Sequence, residues 1–120
     1  MEKKDISLEE LKMNLVNIAV EEWRFKSVFQ RMLVDLDPLG GSKYLSKYNW
    51  FSKQVNIAIQ ESGLKVINYE GKRFEIGMAV TPVNIDEFEE GKDLYIDRMV
   101  EPIIMDNGKI LKNGSVILRG

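Results

Sequence analysis

Residues 8–36 read LEELKMNLVNIAVEEWRFKSVFQRMLVDL, and apolar residues recur along this stretch at alternating spacings of three and four. Nine positions follow the alternation and eight of them are apolar, Glu22 being the exception. This spacing places an apolar stripe along one side of an α-helix and is typical of a coiled-coil interface. We call the eight apolar residues the seam: Leu8, Leu11, Leu15, Ile18, Phe25, Phe29, Met32 and Leu36.

The seam is long for a chain of 120 residues, and no neighbouring segment is long enough to cover it. Burying one Leu or Phe side chain contributes about 1.5–3 kcal/mol, so an uncovered seam would lose much stability and favour aggregation. We therefore expect a homodimer paired along the seam; the alternative is the buried face of a helix in a monomer. Because an isolated buried carboxylate is costly, Glu22 is expected to set the helix register or to lie where the helices separate.

Local signals bound two helices. Ser7 and Glu10 have the spacing of a capping box, which satisfies free amides of a first helical turn, so the first helix is expected over about 7–36. Pro38 disfavours helical geometry in the residue before it and ends that helix. A second helix is expected over about 42–62, closed by Gly63 in a left-handed conformation.

The second helix continues the spacing of three and four, and Trp50 and Ile57 add an apolar flank. We expect it to pack on the first helix and on that helix's copy in a dimer. Four helices around a two-fold axis satisfy both contacts. Three of its residues join the seam in the expected dimer interface: Tyr48, Phe51 and Val55.

After Gly63 the apolar period becomes that of β-strands. Short β-prone runs alternate with turn signals such as Asn107-Gly108 and Asn113-Gly114. Pro82 and Pro102 cannot donate to a β-ladder, so each is expected at a strand end, an edge or a bulge. The β-prone runs are residues 64–67, 74–83, 94–100, 103–105, 109–111 and 115–118.

These periods predict an α+β chain in two parts. Residues 1–62 form a coiled-coil or helical-bundle dimerisation region, and residues 63–120 form a small all-β head. Each part alone would bury little apolar surface, so association would stabilise both.

The composition excludes several classes of function. The chain has no Cys and no His, so disulfides, thiolate zinc sites, cysteine nucleophiles and the commonest general base are absent. The remaining Ser, Lys and carboxylate residues form no recognisable catalytic triad or dyad, so we expect neither an enzyme nor a cofactor. Seventeen basic residues against nineteen acidic ones argue against nucleic acid or an anionic membrane as the partner. No signal-like start and no long apolar run are present, which leads us to expect a cytoplasmic protein.

The segment 84–92 is acidic and is expected to be a solvated loop. Its run DEFEE, residues 86–90, is a conceivable Ca²⁺ or acid–base site. It lacks, however, the alternating oxygen ligands and the central glycine of a calcium loop. The solvated loop is therefore the preferred interpretation.

Four segments together resemble a known family. Residues 107–118 read NGKILKNGSVIL, residues 63–67 read GLKVI, residues 74–80 read FEIGMAV and residues 32–37 read MLVDLD. In order and spacing they resemble the GrpE family, the nucleotide exchange factors of Hsp70-type chaperones, over roughly residues 28–118. The run FEIGMAV is similar to the family motif Phe-Asp-Pro-x-x-His-Glu-Ala-Val, but it is two residues shorter. It has Ile76 in place of the proline and lacks the histidine and its glutamate.

The resemblance implies that the β head binds the ATPase domain of an Hsp70-type (DnaK-type) chaperone, stabilises its open cleft and promotes ADP release. It assigns partner contacts to Phe74 and Ile76 in the shortened motif, and to Val100, Lys109 and Leu118. The first helix is shorter than is usual in the family, so functions assigned to a longer helix are not carried over.

Two other functions stay open at this point. The first is a non-catalytic adaptor that keeps a GrpE-like scaffold for another partner, an alternative that the altered motif favours. The second is a lipoyl or biotinyl carrier domain, whose small β-barrel has similar glycine patterns. Lys109 and Lys112 lie neither between Met residues nor after Asp, the usual contexts of a modified lysine.

Overall fold

The computed structural model describes residues 5–36 and 41–120. Two helices are followed by a small all-β region of two sheets, which confirms the α+β class. The chain divides into two compact units: the helical unit ends at Gly63, and the β unit spans Leu64–Gly120.

The helical unit contains α1, Leu8–Leu36, and α2, Gly41–Glu61. At the start of α1 the Ser7 Oγ accepts a hydrogen bond from the Glu10 amide at 3.1 Å, as the capping signal predicts. At the end of α2 the amide of Gly63, with φ +87°, donates to the Gln60 carbonyl at 3.0 Å. Glycine adopts this left-handed conformation at little cost and closes the helix. The break predicted at Pro38 lies outside the described residues.

Contacts between the two helices show that they are antiparallel. Phe29 packs against Tyr48, whereas Glu22, two turns earlier on α1, contacts Ser52, one turn later on α2. On α1 the side chains of Val16, Ala19 and Val20 are buried, and on α2 those of Tyr48 and Ser52 are buried.

The β unit contains six strands in two three-stranded sheets. One sheet has the order β1-β4-β5 and is antiparallel; in the other, of order β2-β6-β3, the central strand β6 pairs parallel with β2 and antiparallel with β3. Only Pro102 separates β3 from β4, and Pro82 ends the edge strand β2, as expected for residues that cannot donate. The strands are β1 Leu64–Ile67, β2 Val80–Pro82, β3 Tyr95–Glu101, β4 Ile103–Asp106, β5 Lys109–Lys112 and β6 Gly114–Arg119.

The core of the β unit comes from both sheets. Strand β3 contributes Ile96 and Met99, β4 contributes Ile103 and Ile104, and β6 contributes Val116, all of them at most 1% exposed. On β6 buried and more exposed side chains alternate, because one face of the strand packs inward and the other does not. On β3 the buried Ile96 and Met99 are three residues apart, because a register shift between Ile96 and Arg98 interrupts the alternation.

The predicted strand over residues 74–83 is wrong over most of its length. Only Val80–Pro82 is a strand, because Gly77 has φ +100° and the Met78 amide donates to the Glu75 carbonyl at 3.3 Å in a turn. A left-handed glycine interrupts the extended backbone. The start of the segment pairs instead with the residue before β3: the Phe74 amide donates to the Leu94 carbonyl at 2.8 Å.

The two Asn-Gly pairs play different roles. Asn107 and Gly108 have φ +50° and +79° and join β4 to β5, as predicted for a hairpin turn. Gly114 is instead a buried residue of β6, and a Cβ built on it would lie 2.7 Å from Met99 Cε and 3.0 Å from the Glu101 carbonyl oxygen. The turn predicted at Asn113-Gly114 is therefore wrong: this glycine permits a close approach of backbones.

The side chain of Asn84 continues the parallel pairing of β2 with β6. It accepts a hydrogen bond from the Leu118 amide at 2.8 Å and donates to the Leu118 carbonyl at 3.0 Å. The ladder itself ends at the pair Pro82–Val116, two residues earlier on each chain segment. Asn84 thus attaches the start of the acidic segment 84–92 to the central strand, and this segment contains a short 3₁₀ turn, Ile85–Glu87.

Candidate functional site

Much of the seam is an exposed apolar surface of the helical unit. Leu15 and Phe29 are half-buried, and the Leu36 side chain lies outside the described residues. Among the α2 residues predicted for the same interface, Phe51 is exposed, Val55 is half-buried and Tyr48 is buried. Five seam residues are 48–70% exposed: Leu8, Leu11, Ile18, Phe25 and Met32.

The side of α1 that the structure buries most deeply is next to the seam. Val16 and Ala19 each come one position after a seam residue, and both are buried, as is Val20. These residues were not predicted from the sequence. A second, parallel series with the same spacing, Val16, Ala19 and Trp23, is the signal that could have found them.

A polar cluster joins the two helices where the seam is interrupted. The Tyr48 hydroxyl donates to Glu22 Oε1 at 2.9 Å, and the Ser52 hydroxyl donates to the same oxygen at 2.6 Å. Burial of the Tyr48 hydroxyl, and next its hydrogen bond to Glu22, raise the pKa of Tyr48 above its ordinary value. Glu22 is therefore not an isolated carboxylate: its hydrogen bonds join α1 to α2 within one chain.

Three aromatic rings contact the ring of Tyr48, which belongs to the polar cluster. The Tyr48 ring lies 5.0 Å from that of Phe29, 5.9 Å from that of Phe25 and 6.4 Å from that of Phe51, between ring centroids. Such separations are those of favourable aromatic pairs. Phe25 and Phe51 are half exposed, so this aromatic group connects the interior of the hairpin with the exposed seam.

The β unit contains a groove of about 810 Å³. Two segments supply most of its lining, residues 73–76 and residues 85–94, and Pro82 completes it. The first segment is held to the second by the Phe74 backbone bond to Leu94 and by an ion pair, 2.6 Å long, between Arg73 Nη2 and Asp93 Oδ1. Ile76 is 99% exposed and projects apolar surface into solvent at the groove.

The groove has an excess of negative charge. Asp86, Glu89 and Glu90 line it, and none of the three forms an ion pair with any residue in the ranges 5–36 and 41–120. Lys92 is the cation of the lining that remains once Arg73 is paired with Asp93. We call Asp86, Glu89 and Glu90 the acidic rim of the groove; it lies beside the apolar lining residues. The rim was not predicted as a site, because the run 86–90 was interpreted as a solvated loop.

The structure brings together only two of the five predicted partner-binding residues. Phe74 and Ile76 both line the groove. Lys109 is exposed at the start of β5, an edge strand of the other sheet, and Val100 is half-buried on β3. Leu118 is 3% exposed and belongs to the core, so its side chain has no surface to offer a partner.

The described part of the chain offers little for metal chemistry. Within residues 5–36 and 41–120, no three carboxylates cluster closely enough to hold a metal ion. In the same ranges, every buried side-chain nitrogen or oxygen has a hydrogen-bond partner.

Neither described helix is long and apolar enough to cross a membrane.

Comparison with known proteins adds no assignment. No protein family, curated protein or solved structure matches this chain. The two surfaces described above, the seam and the groove, therefore carry the functional argument.

Proposed function

We propose that this chain is a homodimeric, GrpE-like nucleotide exchange factor, which binds the ATPase domain of an Hsp70-type chaperone and promotes ADP release. The single observation that carries the proposal is Ile76. In the segment that resembles the family motif, this isoleucine is 99% exposed beside Phe74, and it lines the same groove as the exposed Ile85. Exposed apolar side chains that lie together, unlike single ones, are typical of an interaction surface. Burying Ile76 against a partner would contribute roughly 1.5–3 kcal/mol.

The proposed mechanism needs no chemistry from this chain. A partner opens a nucleotide cleft only if it binds the open form more tightly than the closed form. Coupling of about 1–3 kcal/mol lowers nucleotide affinity about five- to 150-fold. Burial of Ile76 supplies coupling of that size if the open form of the ATPase domain buries this side chain and the closed form does not. The β unit is suited to this role because its strands are fixed by two sheets and a shared core.

Dimerisation through the seam is the second part of the proposal. Five seam side chains expose apolar surface in one chain, together with Phe51 of α2, and a second copy offers the same surface in return. A self-complementary interface of this kind satisfies a two-fold axis. Glu22 does not oppose it, since its carboxylate is already hydrogen-bonded within the hairpin.

Exchange activity is tested with the full chain and an Hsp70-type ATPase domain from the same organism, loaded with a fluorescent ADP. We expect excess chain to accelerate ADP release in a stopped-flow trace. Ile76→Asp should remove most of the acceleration, whereas Val83→Asp, at an exposed apolar residue that does not line the groove, should leave it intact. No acceleration by the wild-type chain would refute exchange activity.

The contribution of Lys109 is tested in the same assay. Lys109→Glu should weaken exchange by reversing a charge that faces an acidic ATPase surface. Lys65→Glu, at an exposed lysine on β1, the opposite edge of the same sheet, is the matched control. Equal activity of the two variants would show that Lys109 is not a contact.

The dimer is tested by sedimentation velocity at micromolar concentration. The wild-type chain should sediment as a dimer, and Ile18→Glu in the seam should sediment as a monomer. Val28→Glu, at an equally exposed apolar residue of α1 outside the seam, should remain dimeric. A monomeric wild-type chain would remove this part of the proposal.

An adaptor for a different partner remains the second candidate, and the missing histidine and glutamate of the motif favour it. A dimer that copurifies from its native cells with an unrelated protein, and that leaves ADP release unchanged, would support the adaptor.

A further inference from the structure

We propose that the groove of the β unit binds a short peptide segment of a partner that carries an apolar side chain next to a lysine or arginine. The inference rests on the proposed function in that Ile76 serves both. Beyond the proposed function, the inference specifies which side chains the bound segment carries, and it assigns the binding of the basic side chain to the acidic run 86–90.

Size and lining support a peptide as the occupant. The groove volume of about 810 Å³ lies within the roughly 300–1,000 Å³ of ligand-binding clefts, and most of its lining residues are exposed, so the groove is open to a segment of a larger partner. Pro82 and Phe88 give the groove an apolar floor, and Ile76 and Ile85 add apolar surface at its edge. Ile76 and Ile85 are exposed and Phe88 and Pro82 are half-buried, so the unit's own core does not use this surface fully.

Charge determines which peptide fits. Asp86, Glu89 and Glu90 line the groove and form no ion pair with any residue in the ranges 5–36 and 41–120. Lys92 also lines the groove, and Arg73 is paired with Asp93, so three negative charges face one unpaired positive charge. A phosphate, a nucleic acid or an acidic peptide would be repelled by this rim. A lysine or arginine side chain of a partner would instead meet carboxylates beside an apolar surface, where an ion pair is less screened than in open water.

A bound cation other than a peptide side chain fits the site less well. The carboxylates of residues 86–90 do not cluster as a metal site within the described part of the chain. A small polyamine would satisfy the charges but would leave Ile76 and Phe88 exposed. Only a segment with both kinds of side chain uses the floor and the rim together.

The geometry also explains how the rim is held in place. The side chain of Asn84 is clamped to the Leu118 backbone by two hydrogen bonds, and Asp93 is held by Arg73. Both ends of the acidic segment are thus attached to the folded unit. Carboxylates on a segment anchored at both ends lose less freedom on binding than those on a free loop.

The inference is tested by peptide selection on the full chain, without any ATPase present. A random eight-residue library displayed on phage should yield sequences in which a Lys or Arg lies within two positions of a Leu, Ile, Val or Phe. No enrichment, or enrichment of sequences without a cation, would overturn the inference.

Affinity measurements with defined probes follow the selection. Fluorescein-labelled GSGLKRLGSG should bind with an affinity that falls as salt rises, and GSGLEELGSG, GSGLQQLGSG and GSGGKRGGSG should each bind at least 10-fold more weakly. The variant Asp86→Asn/Glu89→Gln/Glu90→Gln should lose roughly 10-fold or more in affinity for the first peptide. Removal of three exposed carboxylates from the helical unit, by Asp35→Asn/Glu61→Gln/Asp5→Asn, should change it less than two-fold.

The outcomes separate this inference from the proposed function. Three outcomes would overturn the groove inference. The first is that the acidic or the neutral peptide binds as tightly as GSGLKRLGSG. The second is that both triple variants lose the same affinity for that peptide, and the third is that stoichiometric spermine displaces it fully. Accelerated ADP release without peptide binding would support the exchange function and overturn the groove inference. Peptide binding without accelerated ADP release would support the groove inference and refute the exchange function.

Discussion

Removing one hydroxyl from the cluster that joins the two helices should destabilise the helical unit measurably. Ser52 is 8% exposed, and its hydroxyl donates to Glu22 Oε1 at 2.6 Å, the length of a hydrogen bond to an ionised acceptor. Such bonds contribute about 1.5–3 kcal/mol. Because Glu22 is half-buried and keeps the bond from Tyr48, we expect Ser52→Ala to cost about 1.5–2 kcal/mol, in the lower half of that range.

Tryptophan fluorescence measures this loss in the right part of the molecule. Both tryptophans, Trp23 and Trp50, lie in the helical unit, so urea unfolding followed by their emission reports on that unit. All variants must be compared at one protein concentration, since the proposed dimerisation would make stability depend on concentration. The matched control is Ser62→Ala, whose exposed hydroxyl donates to the Ala58 carbonyl at 2.9 Å and should change stability by less than about 0.5 kcal/mol.

A double-mutant cycle tests the reason for the effect. Tyr48→Phe removes the second donor to the same oxygen of Glu22, so the two substitutions should be coupled by at least about 0.5 kcal/mol. If Ser52→Ala costs no more than Ser62→Ala, or if the two losses simply add, then Glu22 does not join the helices as the structure indicates.

Three further predictions concern single contacts. The raised pKa of Tyr48 means that the folded state holds this proton more tightly than the unfolded chain, whose tyrosine titrates near 10.0. The contribution of this proton to the free energy of unfolding is therefore fully present below pH 10 and should fall as pH rises above it, by up to about 1.4 kcal/mol per pH unit. In urea unfolding Tyr48→Phe should remove this dependence on pH, and an unchanged dependence would show that Tyr48 is not its source. Gly114→Ala should lower the thermal midpoint of the β unit through a clash costing about 1–3 kcal/mol, and Gly120→Ala, whose added Cβ meets nothing within 4 Å, should not; equal midpoints would show that the backbones can separate. Asn84→Ala removes both bonds to the Leu118 backbone and should increase amide exchange at Leu118, with a stability loss of about 1–3 kcal/mol; retained protection at Leu118 would show that the clamp is dispensable.

Features that depend on neighbouring residues were predictable from the sequence. The 3.6-residue period predicted both helices, the Ser7 and Gly63 signals predicted how one begins and the other ends, and Asn107-Gly108 predicted a hairpin. Each of these is a preference of a few adjacent residues for particular backbone angles or for one local hydrogen bond. The α+β class followed because the period changes once along the chain.

Contacts between distant residues decided the rest. Nothing near Glu22 in the sequence indicates that Tyr48 and Ser52, on another helix, donate to its carboxylate. Gly114 must be small because Met99 and Glu101, on a different strand, lie close to it. The local sequence Asn113-Gly114 does not show these contacts, so it was interpreted as a turn. The groove exists because a backbone hydrogen bond and an ion pair hold residues 73–76 beside residues 85–94. The acidic run is solvent-exposed, as predicted, but its place along the groove depends on these contacts. Sequence periodicity thus determined which elements form, whereas packing between elements determined which apolar face is buried and where exposed apolar side chains lie beside acidic ones.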